Sequence, residues 1–373
     1  GGLDIPISQA GQLISGYALG VVVGAPLLTA LATRLPRKPV LIGFMALFVV
    51  GNIATFASVG FEAVLASRVI AGLPHGAFLG AAALAAAQMA GPRRRATAVS
   101  RMMMGLTVAN IVGVPIGTLL GQSFGWGAAF GVVALLGVVS MIGIAMFVPR
   151  LPSADGVRLR HEVKAMGNPQ VLLGLATAVF GFGGVFAVYS YISPMMTQLA
   201  GMSDNTVPLV LALFGIGMTL GSLIVGPLAD RWLRPTIYGG IAGLAVVLAL
   251  FALTVHNPWT AAITAVVLGA VGFGVTAPLQ VLIMNRAGHA PTLASASNHS
   301  AFNLANAGGA WLGGLGISAG LGYVSPTLIG AALALIGLAL AVTAGILDAR
   351  PASRPAEIDD VPTQTELEPA LAS

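Results

Sequence analysis

The segment GLTVANIVGVPIGTLLG, residues 105–121, carries a small residue at every fourth position: Gly105, Ala109, Gly113, Gly117 and Gly121. On an α-helix that spacing stacks them on one face, where a neighbouring backbone can approach closely. Pro115 lacks an N–H and crowds the turn before it, so a bend is expected there. Apart from Thr107, Asn110 and Thr118 the segment is apolar. It reads as a bent, close-packed helix that crosses a membrane, with Asn110 its best candidate for touching a ligand. Gly105, Gly113, Pro115 and Gly117 form its packing motif.

The composition extends this reading to the whole chain. Of 373 residues 57% are hydrophobic and 8% charged, against about 25% charged in soluble proteins. Fifty glycines and twenty-two prolines suit transmembrane helices, which tolerate both better than soluble helices do. The absence of cysteine excludes disulfides, thiolate metal sites and cysteine nucleophiles. The net charge of +5 comes from basic residues in short loops between apolar runs, a topology signal and not a nucleic-acid patch. No phosphate-binding loop and no cluster of acids, histidines or nucleophiles at membrane depth is present, which argues against an ATP-driven pump and against an enzyme. The expected partners are a lipid bilayer and a small molecule, with no metal, no cofactor and a monomeric state.

Eleven apolar spans of about 20 residues, enough to cross a ~30 Å hydrocarbon core, run over residues 10–32, 40–59, 62–90, 97–121, 128–148, 170–193, 207–228, 236–255, 260–283, 297–320 and 326–347. The link 149–169 separates a bundle at 1–148 from one at 170–347, and 348–373 reads as a polar, disordered tail. Of seventeen Lys and Arg, all but Arg68 fall on one side of the membrane. By the positive-inside rule that side is cytoplasmic and holds the C-terminus, as expected for a multi-pass protein of a bacterial-type inner membrane.

The two bundles repeat each other. Gly20, Gly24, Arg34 and Arg37 recur as Gly217, Gly221, Arg231 and Arg234 (231 − 34 = 197). Gly105, Ala109, Gly113 and Gly117 recur as Ala301, Ala305, Gly309 and Gly313 (301 − 105 = 196). The halves are therefore parallel repeats. The mate of the span at 170–193 would fall before residue 1 (170 − 197 = −27), so a twelfth, preceding helix is expected. The first bundle then shows five of its six helices.

These features resemble the major facilitator superfamily. Its inner-loop signature is matched by Gly226-Pro227-Leu228-Ala229-Asp230-Arg231 and Arg234; in the first half Arg34, Arg37 and Lys38 remain, and Thr33 stands where the acid is usual. Arg68-x-x-x-Gly72 resembles the family's intramembrane arginine motif, and Gly113-Val114-Pro115-Ile116-Gly117 the fifth-helix motif of antiporters. With LPHGAF and YSYISP, the chain looks most like the drug- and sugar-efflux branch, which includes arabinose-efflux-like and chloramphenicol-efflux permeases. The resemblance implies an all-α fold of two helix bundles and export of a small molecule, a drug or a sugar, by alternating access. It also implies proton antiport, with the proton gradient as energy source. The competing reading is a truncated, non-transporting membrane protein or sensor derived from such a transporter.

The candidate cavity residues follow from charge and spacing. Arg68 is a basic residue inside a span, expensive unless paired or hydrated, and His75 lies seven residues on, on the same face. His299, Asn303 and Asn306 form one polar stripe, and Phe182, Phe186 and Tyr189 one aromatic stripe. Each stripe could line a cavity or simply pack against neighbouring helices. Arg34, Arg37, Asp230, Arg231 and Arg234 are expected to gate the inner loops, and Thr33 leaves any first-half latch weaker or differently partnered. No Asp or Glu lies mid-span, so the titrating group for coupling is not assigned; His75 and His299 are the deepest substitutes.

Overall fold

In the computed structural model the chain is described over residues 7–32, 35–151, 159–288 and 290–349, and those residues are helix and connecting turn, with no strand. The first half comprises α1 (Ile7–Ala32), α2 (Arg37–Ala57), α3 (Phe61–Ala90), α4 (Arg95–Val108), α5 (Val114–Phe124) and α6 (Trp126–Phe147). A short helix, α7 (Leu159–Met166), lies in the link between halves. The second half comprises α8 (Pro169–Tyr189), α9 (Ile192–Gln198), α10 (Val207–Arg231), α11 (Leu233–Thr254), α12 (Pro258–Gly274), α13 (Thr276–Arg286), α14 (Pro291–Gly316) and α15 (Ser325–Ala349). Joined where one span holds two helices (α4–α5, α8–α9, α12–α13), these give the eleven expected spans.

Eight of the described segments are long and apolar enough to cross a membrane by length and composition. The other three have local reasons for a weaker signal. Within α1 the apolar run is shorter, Gly16–Ala32, α4–α5 is interrupted, and the first turns of α14 are polar. Helix starts are encoded locally: α8 and α12 each open with Asn-Pro. The Asn168 and Asn257 side chains accept the free N–H groups of Gln170 (2.9 Å) and Trp259 (3.0 Å), and proline takes the first position, where no N–H is needed. Gly125, at φ 89°, makes the tight turn from α5 to α6, a conformation that a Cβ disfavours. Outward-facing leucines, valines and isoleucines on α2, α6 and α11 remain exposed, as lipid-facing side chains must.

The internal repeat is a repeat of contacts. A Cβ on Gly20 would lie 2.4 Å from the Val69 carbonyl oxygen, and one on Gly24 2.2 Å from that of Leu73. The matching distances are 2.0 Å from Gly217 to Val266 and 1.9 Å from Gly221 to Ala270. The receiving residues are themselves related by the offset (266 − 69 = 197; 270 − 73 = 197). So α1 packs on α3 as α10 packs on α12, and α2 lies on α6 as α11 lies on α15. The halves meet in the same paired way, α1 against α14 and α10 against α4.

The 105–121 glycine ladder is not close-packed, contrary to the sequence expectation, although its repeat is. In the second half it does pack closely: a Cβ on Gly309 would lie 2.2 Å from the Gly183 carbonyl oxygen, and one on Gly313 2.8 Å from that of Ala187. In the first half a Cβ on Gly105, Gly113 or Gly117 would meet nothing within 4 Å. The difference is the partner: α8 covers the second ladder, and no described element stands in the equivalent place beside the first. The interruption expected at Pro115 takes the form of a π turn, Ala109–Gly113, that separates α4 from α5, a common way to break a helix without ending it. Asp348, expected in the tail, belongs to α15.

Candidate functional site

The site is the seam between the halves, and it is shut at the end that carries the basic loops. Asp230, the next-to-last residue of α10, accepts the first N–H groups of α4 in the other half: Ala96 (2.7 Å), Thr97 (3.1 Å) and the Thr97 hydroxyl. A carboxylate there satisfies orphan amides and faces the positive end of the helix dipole. Glu162 of α7 does the same for α14, accepting from Thr292 (3.3 Å) and Leu293 (2.9 Å). Further in, Gly226 lets α10 close on Ser100 of α4, and Gly80 lets α3 close on Ala296 of α14. The Ser295 hydroxyl donates to the Gly80 carbonyl at 2.8 Å and accepts from the buried Gln280 amide, whose own carbonyl oxygen accepts from the buried Asn298.

Above this seal lies a cavity of about 130 Å³ walled by both halves. His75, Leu79, Met103 and Thr107 contribute from α3 and α4; Phe182, Phe273, His299, Phe302 and Asn303 contribute from α8, α12 and α14. Its size is close to that of the ~150 Å³ engineered cavity that takes up one benzene ring. Phe182 is the hub of the aromatic wall, with Phe186, Phe273 and Phe302 at centroid distances of 5.2, 5.0 and 4.9 Å. Beside the cavity Thr107 and Thr219 hydrogen-bond across the seam at 2.8 Å, and the Ser300 hydroxyl donates to the Val22 carbonyl at 3.2 Å.

The candidate residues separate accordingly. His75 faces the cavity, and its Nδ1 is bonded to the Tyr17 hydroxyl at 2.8 Å. Arg68 is one step removed: its guanidinium lies 4.4 Å from the Tyr17 ring centroid and 4.9 Å from that of Phe130, so two aromatic faces hold the charge. His299 is buried, lines the cavity, and its Nε2 has no hydrogen-bond partner among the described residues. Asn303 also lines it while bonding the His299 carbonyl at 2.9 Å; Asn306, two turns above His299, is exposed. Of the aromatic stripe only Phe182 reaches the cavity. Phe186 and Tyr189 pack into the second-half core, Tyr189 against Phe214 at 5.0 Å.

The inner-loop residues divide as well. Asp230 crosses between halves, whereas Arg234 and Arg286 share Asp348 within the second half. Arg231 is exposed, and Arg37 is buried with its charge acting on Glu162. Arg34 lies outside the described residues, and the side chains of Asn110 and Pro115 are outside the described side chains.

A model of the Major Facilitator Superfamily matches residues 2–309 and 175–371. The chain belongs to this family. It is 41% identical over 339 residues to the inner membrane transport protein YdhP of Escherichia coli, covering 91% of this chain and 87% of that one. It is 30% identical over 345 residues to the chloramphenicol resistance protein of Streptomyces lividans, covering 91% and 88%. In fold it is similar to the E. coli fucose:proton symporter FucP (TM-score 0.73, 12% identity, 90% of each chain). It is likewise similar to the human organic anion transporter MFSD10 (TM-score 0.70, 18% identity, 89% of this chain and 83% of that one). The all-α, two-bundle architecture and the assignment to transporters, not enzymes, thus stand on sequence and fold together.

Several members of this transporter's site, Leu79 and Met103 among them, escape a reading of the sequence alone. Tyr17, Phe273 and Phe302 are aromatic residues in apolar helices, where spacing says nothing about which face meets the other half. Glu162 sits in a polar link and contacts residues some 130 positions away (292 − 162 = 130). The one available signal for Glu162 was the missing acid at Thr33.

Proposed function

We propose that this transporter exports a small, neutral or weakly polar organic solute by alternating access, coupled to proton entry. The observation that carries the reading is the cavity shared by the two repeats above a closed basic end, since a rocking transporter holds its substrate between its halves. By the positive-inside rule the basic end is cytoplasmic, so the described state is the one closed to the cytoplasm, in a multi-pass inner-membrane protein with its C-terminus inside. The three cavity phenylalanines with Leu79 and Met103 favour a solute with an aromatic or apolar body. His75, His299, Asn303 and Thr107 offer a few hydrogen bonds, which suits an amphenicol-like drug better than a sugar. The similarity to the S. lividans resistance protein supports export of such a drug. His75 and His299 are the titratable groups on the cavity wall and the candidates for carrying the coupled proton.

The test is drug tolerance of an efflux-deficient host that expresses the protein. Raised tolerance to neutral aromatic antibiotics, lost on Phe182→Ala, is the expected outcome. Unchanged tolerance across a broad panel of such compounds would remove export of this class.

A further inference from the structure

The inner-loop acid that the second half supplies through Asp230 has no counterpart in the first, where the same repeat position is Thr33 (230 − 197 = 33). By symmetry that acid would cap α14, as Asp230 caps α4. The cap on α14 is nevertheless present, and it comes from the link. Glu162 accepts from Thr292 and Leu293, while Asp230 accepts from Ala96 and Thr97. The two pairs of amides are the same repeat positions (292 − 96 = 196; 293 − 97 = 196). Glu162 is 1% exposed although it lies on a short polar helix, and the buried Arg37, at the start of α2, places its charge on it. A carboxylate is not removed from water in a solvent-facing link without binding partners that make up for it.

We propose that Glu162 is the latch that the first half lacks. The linker helix α7 docks it under α14. Closure of the cytoplasmic mouth then rests on two equivalent carboxylate caps. One is built into a bundle, and the other is carried by the short helix α7 between the bundles. The caps differ in how they release. Asp230 leaves α4 only when the halves rotate, whereas Glu162 can leave α14 when α7 alone undocks. Opening towards the cytoplasm therefore begins on the α14 side, and anything that binds α7 shifts the balance between the two states. This inference rests on the reading of two halves that rock about the seam, and not on the identity of the solute or on proton coupling.

The chain has no cysteine, so a single Leu79→Cys on the cavity wall reports access when an impermeant maleimide is added from either face, without substrate or pH gradient. Glu162→Gln, which keeps the shape and removes the charge, is expected to speed labelling from the cytoplasmic face of inverted vesicles by roughly fivefold. That is the factor expected for losing one helix cap. Labelling from the outside should slow in the same variant. Asp230→Asn should shift both rates in the same sense. Unchanged rates in Glu162→Gln, or faster labelling from both faces, would each overturn the latch. Because the readout is conformational, a failed export assay leaves it standing, and its own failure leaves export standing.

Discussion

Arg68 is a charge placed where lipid would penalise it by several kcal/mol, and it persists because Tyr17 and Phe130 present their ring faces to it. Each such contact is worth roughly 0.5–2 kcal/mol, more when desolvated. Tyr17 then passes the connection to His75 through its hydroxyl. Arg68→Ala is expected to abolish transport while leaving membrane insertion intact, checked by efflux rate against the amount of protein in the membrane. Tyr17→Phe keeps the ring and removes the hydroxyl, so it should preserve insertion and folding and raise the KM for export several-fold. Equal KM values would mean that His75 needs no partner. Spacing alone put Arg68 and His75 on one face, and His299 with Asn303 on another, because i, i+4 and i, i+7 relations are properties of a single helix. It could not choose between Phe182, which meets the cavity, and Tyr189, which packs on Phe214. That choice depends on where α10 and α12 stand.

At the scale of helices, the contacts that repeat at an offset of 197 are carried by glycines that admit a carbonyl oxygen. Gly221 leaves 1.9 Å between a would-be Cβ and the Ala270 oxygen, and Gly24 leaves 2.2 Å to that of Leu73. Gly221→Ala and Gly24→Ala should therefore force α10 from α12 and α1 from α3. The expected cost is about 1–3 kcal/mol, read as a lower unfolding temperature in detergent. Gly113→Ala should cost far less in the described arrangement, since nothing lies within 4 Å of the added carbon. Equal loss at Gly113 and Gly221 would contradict this division. The helices and their order were legible because twenty apolar residues have one stable form in lipid. The packing role of the 105–121 ladder was not, because a row of small residues permits close approach without supplying the neighbour.

Over the whole molecule, two parallel repeats meet along one seam that is closed at its basic end and holds a cavity above the closure. Phe182→Ala should enlarge that cavity, weaken solute binding about tenfold and lower stability as well, since Phe182 is buried among three rings, whereas Tyr189→Ala should lower stability with little change in solute affinity. A binding titration beside a thermal melt distinguishes the two. The repeat was legible because glycines and arginines recur at a fixed offset, and so was the broken symmetry at Thr33. The compensation by Glu162 was not, because the link folds back over a distance that no local pattern encodes. The central claim, export exchanged for protons across this seam, is met most directly in proteoliposomes that hold the protein and a pH-sensitive dye under an imposed pH gradient. The account predicts proton movement that starts on addition of a neutral aromatic solute, runs opposite to it, and vanishes in Arg68→Ala. Solute movement with no accompanying proton flux would contradict it.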